Sequence, residues 1–244
     1  MRVSVADRIH RLGDRYVNWY VIEEGGKLTL LDAGFPRHWG QLPALLRGIG
    51  RTLADVDAVL LTHHHPDHLG CAERIRAEAS ARVLIHGADA GDARRGGGEP
   101  AILGLLAAMV RPFFARYMLH IVRAGGTRVP PIAQLSTFDD GETHDVPGAP
   151  RVIHTPGHTH GECVLHLEDR DVLFSGDALV TLDTATGYVG PSLLTPPFVL
   201  DQAEAMSSLE RVEAAGAGTM LPGHGEPWYH GVAEAVRLAR LRPG

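Results

Sequence analysis

Apolar positions along the chain switch between two periods, and the switches outline the elements. Residues 16–22 (YVNWYVI) and 27–32 (KLTLLD) read as two strands, with Glu23-Glu24-Gly25-Gly26 as the hairpin turn between them. Residues 38–49 (HWGQLPALLRGI) carry the apolar spacing of a helix. Residues 57–62 (DAVLLT) form an unbroken apolar run, the pattern of a strand buried on both faces. A helix is predicted at 69–80 and a strand at 82–86, so strand and helix alternate as in a layered α/β domain. The stretch 91–100 (GDARRGGGEP) is a loop by composition. Residues 101–123 then predict a helix, broken or kinked near Pro112 and apolar on nearly every side. Such a helix is either buried or covers something. The second half repeats the first in outline, with short strands at 151–154, 163–168 and 171–174, and a turn at Asp169-Arg170. A helix at 201–215, a strand at 218–221 and a helix at 232–241 complete it. No Ser/Pro-rich linker interrupts the chain. Residues 1–244 are therefore expected to form one domain of two similar halves, with a helical insert near 100–124 as a candidate substrate cap.

Composition narrows the class. The chain has 244 residues, 44% hydrophobic and 21% charged, which excludes a disordered chain, a fibrous repeat and a small disulfide framework. Its two cysteines, Cys71 and Cys163, lie in apolar contexts and read as reduced core thiols. A net charge of -6 argues against a nucleic-acid partner. No apolar run reaches membrane-spanning length, and the first fifteen residues mix charges where a secretory signal would be apolar. These features lead to the expectation of a cytoplasmic protein with no membrane partner and a small-molecule substrate; a homodimer is compatible with the sequence. Histidine is unusually frequent, with 15 residues. Lysine occurs once, at Lys27, and nothing in the sequence gives that scarcity a function.

The histidines are not scattered. Thr62-His63-His64-His65-Pro66-Asp67-His68 begins where the apolar strand ends, and loops at the C-terminal ends of buried strands are where layered α/β folds place their sites. Imidazole and carboxylate together suit zinc, iron or manganese. On a tight loop His63 and His65 can point one way, and Asp67 and His68 another, which supplies ligands to two ions rather than one. His158, Asp177 and His224 follow three further strand-like runs, each flanked by glycine. Four strand ends converging with five histidines and two aspartates are hard to explain as core packing.

These residues carry a family resemblance. LLDAG at 30–34, THHHPDHLG at 62–70, TPGHTHG at 155–161, SGDAL at 175–179 and PGHG at 222–225 resemble, in order, the motifs of the metallo-β-lactamase superfamily, in particular its glyoxalase II-like hydrolases. The resemblance implies an α/β fold built as a four-layer αββα sandwich. It implies that His63, His65 and His158 bind a first ion, that Asp67, His68 and His224 bind a second, and that Asp177 bridges them. The cofactors implied are two divalent ions, zinc foremost, with iron or manganese as alternatives. Between two such ions a water loses a proton with a pKa near ~7, and the resulting hydroxide attacks a carbonyl carbon. Asp67 and Asp177 orient that nucleophile. Asp32 matches a position that supports the site from behind the ligands, and a turn-capping aspartate is an equal reading. His64 is expected to point away from the ions, and His86 and His154 could serve as donors behind the ligands. His10, His38, His120, His144, His166 and His230 read as surface or packing residues.

Substrate recognition falls to what covers the ions. Phe113, Phe114 and Tyr117 of the apolar insert, His160 beside the motif, and Tyr188 in the turn-rich segment 181–199 are the candidate contacts, with ordinary packing as the competing reading. Departures from relatives narrow the chemistry. Val180 stands where quorum-quenching lactonases have tyrosine, and only 20 residues follow His224, where glyoxalase II enzymes carry a long helical segment. Glu162 stands where a histidine is common, and its role stays open. The expected activity is hydrolysis of a small ester, thioester or lactone. A mononuclear-iron persulfide dioxygenase is the alternative, weakened by the lack of that family's Gly-Arg-Thr-Asp stretch.

Overall fold

The computed structural model describes residues 4–97 and 109–242. Strands β1 (Ser4–Ala6), β2 (Ile9–Gly13), β3 (Asn18–Glu24), β4 (Lys27–Leu31), β5 (Val56–Leu60), β6 (Arg82–His86) and β7 (Ser136–Phe138) form one sheet in that spatial order. Pairing is antiparallel from β1 to β4 and parallel from β4 to β7. A second sheet takes β8 (Arg151–His154), β9 (Cys163–Leu167), β10 (Val172–Gly176) and β13 (Thr219–Pro222) in the order β13-β10-β9-β8. Strands β11 (Val180–Leu182) and β12 (Val189–Ser192) make a separate hairpin. The helices are α1 (Gln41–Gly48), α2 (Pro66–Leu69), α3 (Ala72–Ala79), α4 (Ala90–Ala93), α5 (Pro112–Ala124), α6 (Gln202–Ala214) and α7 (Val232–Arg240).

Successive residues of a strand face opposite sides of its sheet, and here both sides are apolar. In β3, Trp19 and Val21 join a core shared with Leu42, Leu45 and Leu46 of α1 and with Ala72 and Ile75 of α3. Their neighbours Tyr20 and Ile22 face the other way, against Leu165, Leu167 and Phe174 of the second sheet. In β9 and β10, Val164 and Leu173 pack on Leu209 and Val212 of α6 and on Ala235 and Val236 of α7. Three cores between four layers are the αββα sandwich. They also explain the continuous apolar runs: a strand between helices and a second sheet has no solvent face to leave polar.

The expected strands at 82–86 and 151–154 coincide with β6 and β8, and the remaining pattern-based elements fall within a few residues of those observed. The hairpin turn narrows to Gly25-Gly26, both in the left-handed region, while Glu23 and Glu24 continue β3. The predicted helix at 69–80 is divided: α2 begins at Pro66, inside the histidine motif, and α3 follows it. The predicted loop at 91–100 contains the end of α4. The first part of the predicted helix at 101–123 lies outside the described residues, and α5 starts at Pro112, where proline's fixed φ and missing N–H suit a first helical turn. Strands β1, β2, β7, β11 and β12 were not legible, because three of them have only three residues and β2 carries charge at Arg11.

Candidate metal centre

Strands β4, β5, β8, β10 and β13 end at one edge of the paired sheets, and the loops leaving them bring the predicted ligands together. Hydrogen bonds tie the sheets at this edge: Cys163 N–H donates to Thr62 O at 3.0 Å, and Tyr20 O–H donates to Pro222 O at 2.7 Å. Ligand atoms of His63, His65 and His158 lie within 4.8 Å of one another, as do those of His63, His68 and Asp177, and those of Asp67, His68 and His224. Asp177 reaches both sides, with Oδ2 3.4 Å from His158 Nε2 and 3.0 Å from His224 Nε2. All seven predicted ligands are thus adjacent, and all but half-buried His65 are buried.

The far nitrogen of a ring decides which lone pair is free. His224 Nδ1 faces the Tyr16 carbonyl at 2.6 Å; a carbonyl only accepts, so that nitrogen carries the proton and Nε2 turns a lone pair inward. His68 Nδ1 faces Asp32 Oδ2 at 2.8 Å, with the same result; His63 Nδ1 pairs with Thr62 Oγ1 at 3.0 Å, whose own hydrogen goes to Asp32, and Glu162 Oε2 lies 3.0 Å away. The inward nitrogens crowd together: His158 Nε2 is 3.2 Å from His63 Nε2 and 2.8 Å from His65 Nδ1. His68 Nε2 and Asp177 Oδ1 are buried without a hydrogen-bond partner. Converging lone pairs and orphaned buried atoms fit a divalent cation.

Charge follows the same plan. Burial and neighbouring imidazoles pull His63 and His158 well below the ordinary histidine value, and burial takes His65 to about 4. A shift in that direction favours the neutral imidazole, the form that binds a cation. Burial opposes charge on His68 and His224 as well, but Asp32 and Asp177 outweigh it for His68, and Asp177 outweighs it for His224, so both are raised. Burial, reinforced by Asp177, pushes Glu162 well up. Four carboxyl groups, those of Asp32, Asp67, Glu162 and Asp177, are packed among these imidazoles, a donor set that suits cations.

Two positions left open in the sequence acquire partners. Asp32 takes the left-handed conformation, φ 61°, uncommon for a residue with a side chain, and from there accepts Thr62 N–H at 2.8 Å while reaching His68. Glu162 Oε1 accepts Asp177 N–H at 3.0 Å, and its other oxygen lies 3.0 Å from His63 Nδ1. A Cβ on Gly223 would stand 2.3 Å from Asp177 Oδ1, which accounts for the glycine before His224. Arg11 carries no signal in the sequence beyond a charge in a short strand. Buried, it bonds Glu226 Oε2 at 2.6 Å and Gly225 O at 3.1 Å, and Asn18 Nδ2 donates to Pro222 O at 2.8 Å; together they clamp the His224 loop.

The candidate substrate contacts separate. Tyr117 O–H donates to Asp67 Oδ2 at 2.9 Å, and burial together with Asp67 raises the phenol well above its ordinary value, so it stays a donor. Phe113 meets Tyr16 edge-on at 5.9 Å and is half-buried. Phe114 is fully buried against Ala185 and Phe198, so it packs behind the wall and does not face a substrate. His160 is exposed, and its carbonyl pairs with His154 Nε2 at 2.9 Å. The Tyr188 ring lies under the Arg242 guanidinium at 3.4 Å.

A two-sheet α/β sandwich with clustered histidines and aspartates at one sheet edge defines a class of metal-dependent hydrolases. Residues 12–224 match the metallo-beta-lactamase superfamily, and the chain belongs to it. The probable metallo-hydrolase YflN of Bacillus subtilis is 27% identical over 237 residues, covering 92% of this chain and 86% of that one. A hydroxyacylglutathione hydrolase of Cereibacter sphaeroides is 30% identical over 169 residues, 68% of this chain and 47% of that one. The chain spans 59% of a matching beta-lactamase-like protein 2 homolog from Caenorhabditis elegans, so several relatives are much longer. A metallo-beta-lactamase family protein from Thermus thermophilus has a similar structure, with TM-score 0.69 and 26% identity over 96% of this chain and 79% of that one. Among the described residues, no helix is long and apolar enough to cross a membrane.

Proposed function

We propose that this chain is a dinuclear metal hydrolase of a small ester, thioester or lactone, with zinc as its metal. The observation that carries the reading is the sharing of Asp177 between two ligand groups. Its Oδ2 stands 3.4 Å from His158 Nε2 and 3.0 Å from His224 Nε2, and its Oδ1 stands 3.6 Å from His68 Nε2. His63, His65 and His158 would hold one ion, and Asp67, His68 and His224 the other. When bound, such ions polarise a carbonyl oxygen and make water nucleophilic near neutral pH.

The remaining work falls to the protein. The Thr62 hydroxyl, Asp32 and the Tyr16 carbonyl accept from Nδ1 of His63, His68 and His224, which leaves their inward Nε2 lone pairs for a cation. Tyr117 holds Asp67 in one orientation. Its ring, with Phe113 and Phe198, forms an apolar wall beside His224 that favours an acyl or ring portion and limits water. Phe113 and exposed His160 are the side chains we assign to substrate contact. Thioesters lead the substrate classes, because two relatives are named for them: the hydroxyacylglutathione hydrolase and an atrochrysone carboxyl ACP thioesterase of Aspergillus fumigatus, 27% identical over 210 residues. Free, buried Cys71 and Cys163 agree with a reducing, cytoplasmic setting.

The test is elemental analysis of the purified chain, followed by a panel of thioesters, lactones, aryl esters and phosphodiesters. The reading predicts close to two ions per chain and turnover of a carbonyl substrate that a chelator abolishes. One iron per chain with oxygen consumption on a persulfide would replace it with the dioxygenase reading.

A further inference from the structure

We propose that Asp89 is a positioning residue for the three-histidine group, acting through the loops that carry it. The inference rests on the reading that His63, His65 and His158 hold an ion. His64, between two of those ligands, belongs to none of the ligand groups. Its ring turns away, and Nδ1 lies 2.8 Å from Asp89 Oδ2. The His64 backbone N–H donates to the same oxygen at 3.1 Å. From the other sheet, Thr159 Oγ1 donates to Asp89 Oδ2 at 2.8 Å and Gly161 N–H to Asp89 Oδ1 at 2.7 Å. Asp89 is 1% exposed. One buried carboxylate thus receives a backbone N–H from the loop of His63 and His65, which follows β5, with the His64 ring beside it, and two donors from the loop of His158, which joins β8 to β9.

Those loops belong to different sheets, and their imidazoles must converge within a few ångströms. The convergence places His158 Nε2 at 2.8 Å from His65 Nδ1. A fixed strut between the loops holds that spacing. The strut also accounts for residues of the TPGHTHG motif that bind no ion: Thr159 is a donor to Asp89, and a Cβ on Gly161 would stand 2.6 Å from Asp89 Cγ. The three hydrogen-bond partners, His64 N–H, Thr159 Oγ1 and Gly161 N–H, are all donors, so the site needs an acceptor at both oxygens. An amide at position 89 would turn an N–H2 against N–H groups, and Asp89→Asn is therefore not conservative.

The experiment measures Zn2+ affinity by chelator competition, and assigns each loss to a ligand group by the visible absorption of Co2+-substituted protein. Asp89→Ala and Asp89→Asn are expected to weaken the three-histidine group by roughly 10- to 100-fold and to leave the Asp67-His68-His224 group within about threefold. Thr159→Val, which keeps the shape and removes one donor, should lose about threefold to tenfold at the same group. Equal weakening of both groups, or unchanged affinities with only a lower Tm, would overturn the proposal. If the Asp89 variants do not fold, Thr159→Val decides alone: a selective loss supports the strut, and no loss overturns it. A wild-type chain that binds no Zn2+ would instead remove the metal reading itself.

Discussion

Among the described residues, histidine and aspartate gather in two places with metal-ligand spacing, and only one of them is built as a metal centre. Asp14, His38 and His120 approach as closely as the ligand groups do, with Asp14 Oδ2 3.1 Å from His38 Nε2 and 2.7 Å from His120 Nε2. The difference lies behind the rings. His38 Nδ1 accepts the Phe35 N–H at 3.2 Å, so its proton is on Nε2 and points at Asp14. In the metal centre Nδ1 of His63, His68 and His224 faces a hydroxyl whose hydrogen goes to Asp32, a carboxylate and a carbonyl in turn, so the proton points outward and the lone pair inward. Proximity and composition are the same in both; the acceptor or donor on the far nitrogen selects a ligand in one case and a hydrogen-bond donor in the other. The Asp14 cluster joins α5, through His120, to the loop before β3, whose Tyr16 carbonyl holds His224.

Substitutions can break this contrast. Asp177→Ala removes the shared ligand; metal content should fall below two ions per chain and turnover by roughly a thousandfold or more, with the circular dichroism spectrum retained. Full turnover in that variant would show that Asp177 has another role. Glu162→Gln and Asp32→Asn should each cost about 10- to 100-fold in metal affinity, the first mainly at the three-histidine group and the second mainly at its neighbour, read by chelator competition. Asp14→Asn should leave metal content unchanged and lower stability. Burial opposes the charge of Asp14, but the His38 hydrogen bond outweighs it and brings the carboxyl to about 2, against 3.8 in the unfolded chain. A lowered carboxylate stabilises above pH 3.8 and loses that contribution as pH falls toward 2. The variant should therefore be about 2 kcal/mol less stable at pH 7 and converge with the parent near pH 2 in urea melts. Tyr117→Phe should have the smallest effect, about 1 kcal/mol in transition-state or metal-binding free energy, seen as a change of a fewfold in kcat.

The seven proposed ligands stand out in the sequence because their chemistry is dense and local: HHHPDH packs four of them into one short loop, and glycine marks the other three. The sandwich was legible through runs such as DAVLLT, whose unbroken apolarity follows from burial on both faces. Residues that act from behind were not. Arg11 and Asp89 look like any surface charge until strand pairing brings Glu226 and Thr159 to them, from 215 and 70 residues away. The tautomer of His38 depends on a backbone N–H that no composition reveals. Phe113, Phe114 and Tyr117 share one apolar stretch, and only packing on Tyr16, Ala185 and Asp67 distinguishes their roles.

The most direct measurement is a Zn2+ titration of metal-stripped protein, with hydrolysis of a thioester followed at each step, in the parent and in Asp14→Asn. Two equivalents bound per chain in both proteins, with hydrolysis regained as they fill, is the predicted result. A single equivalent, or a further equivalent lost in Asp14→Asn, would contradict the assignment of the ligands to one paired centre.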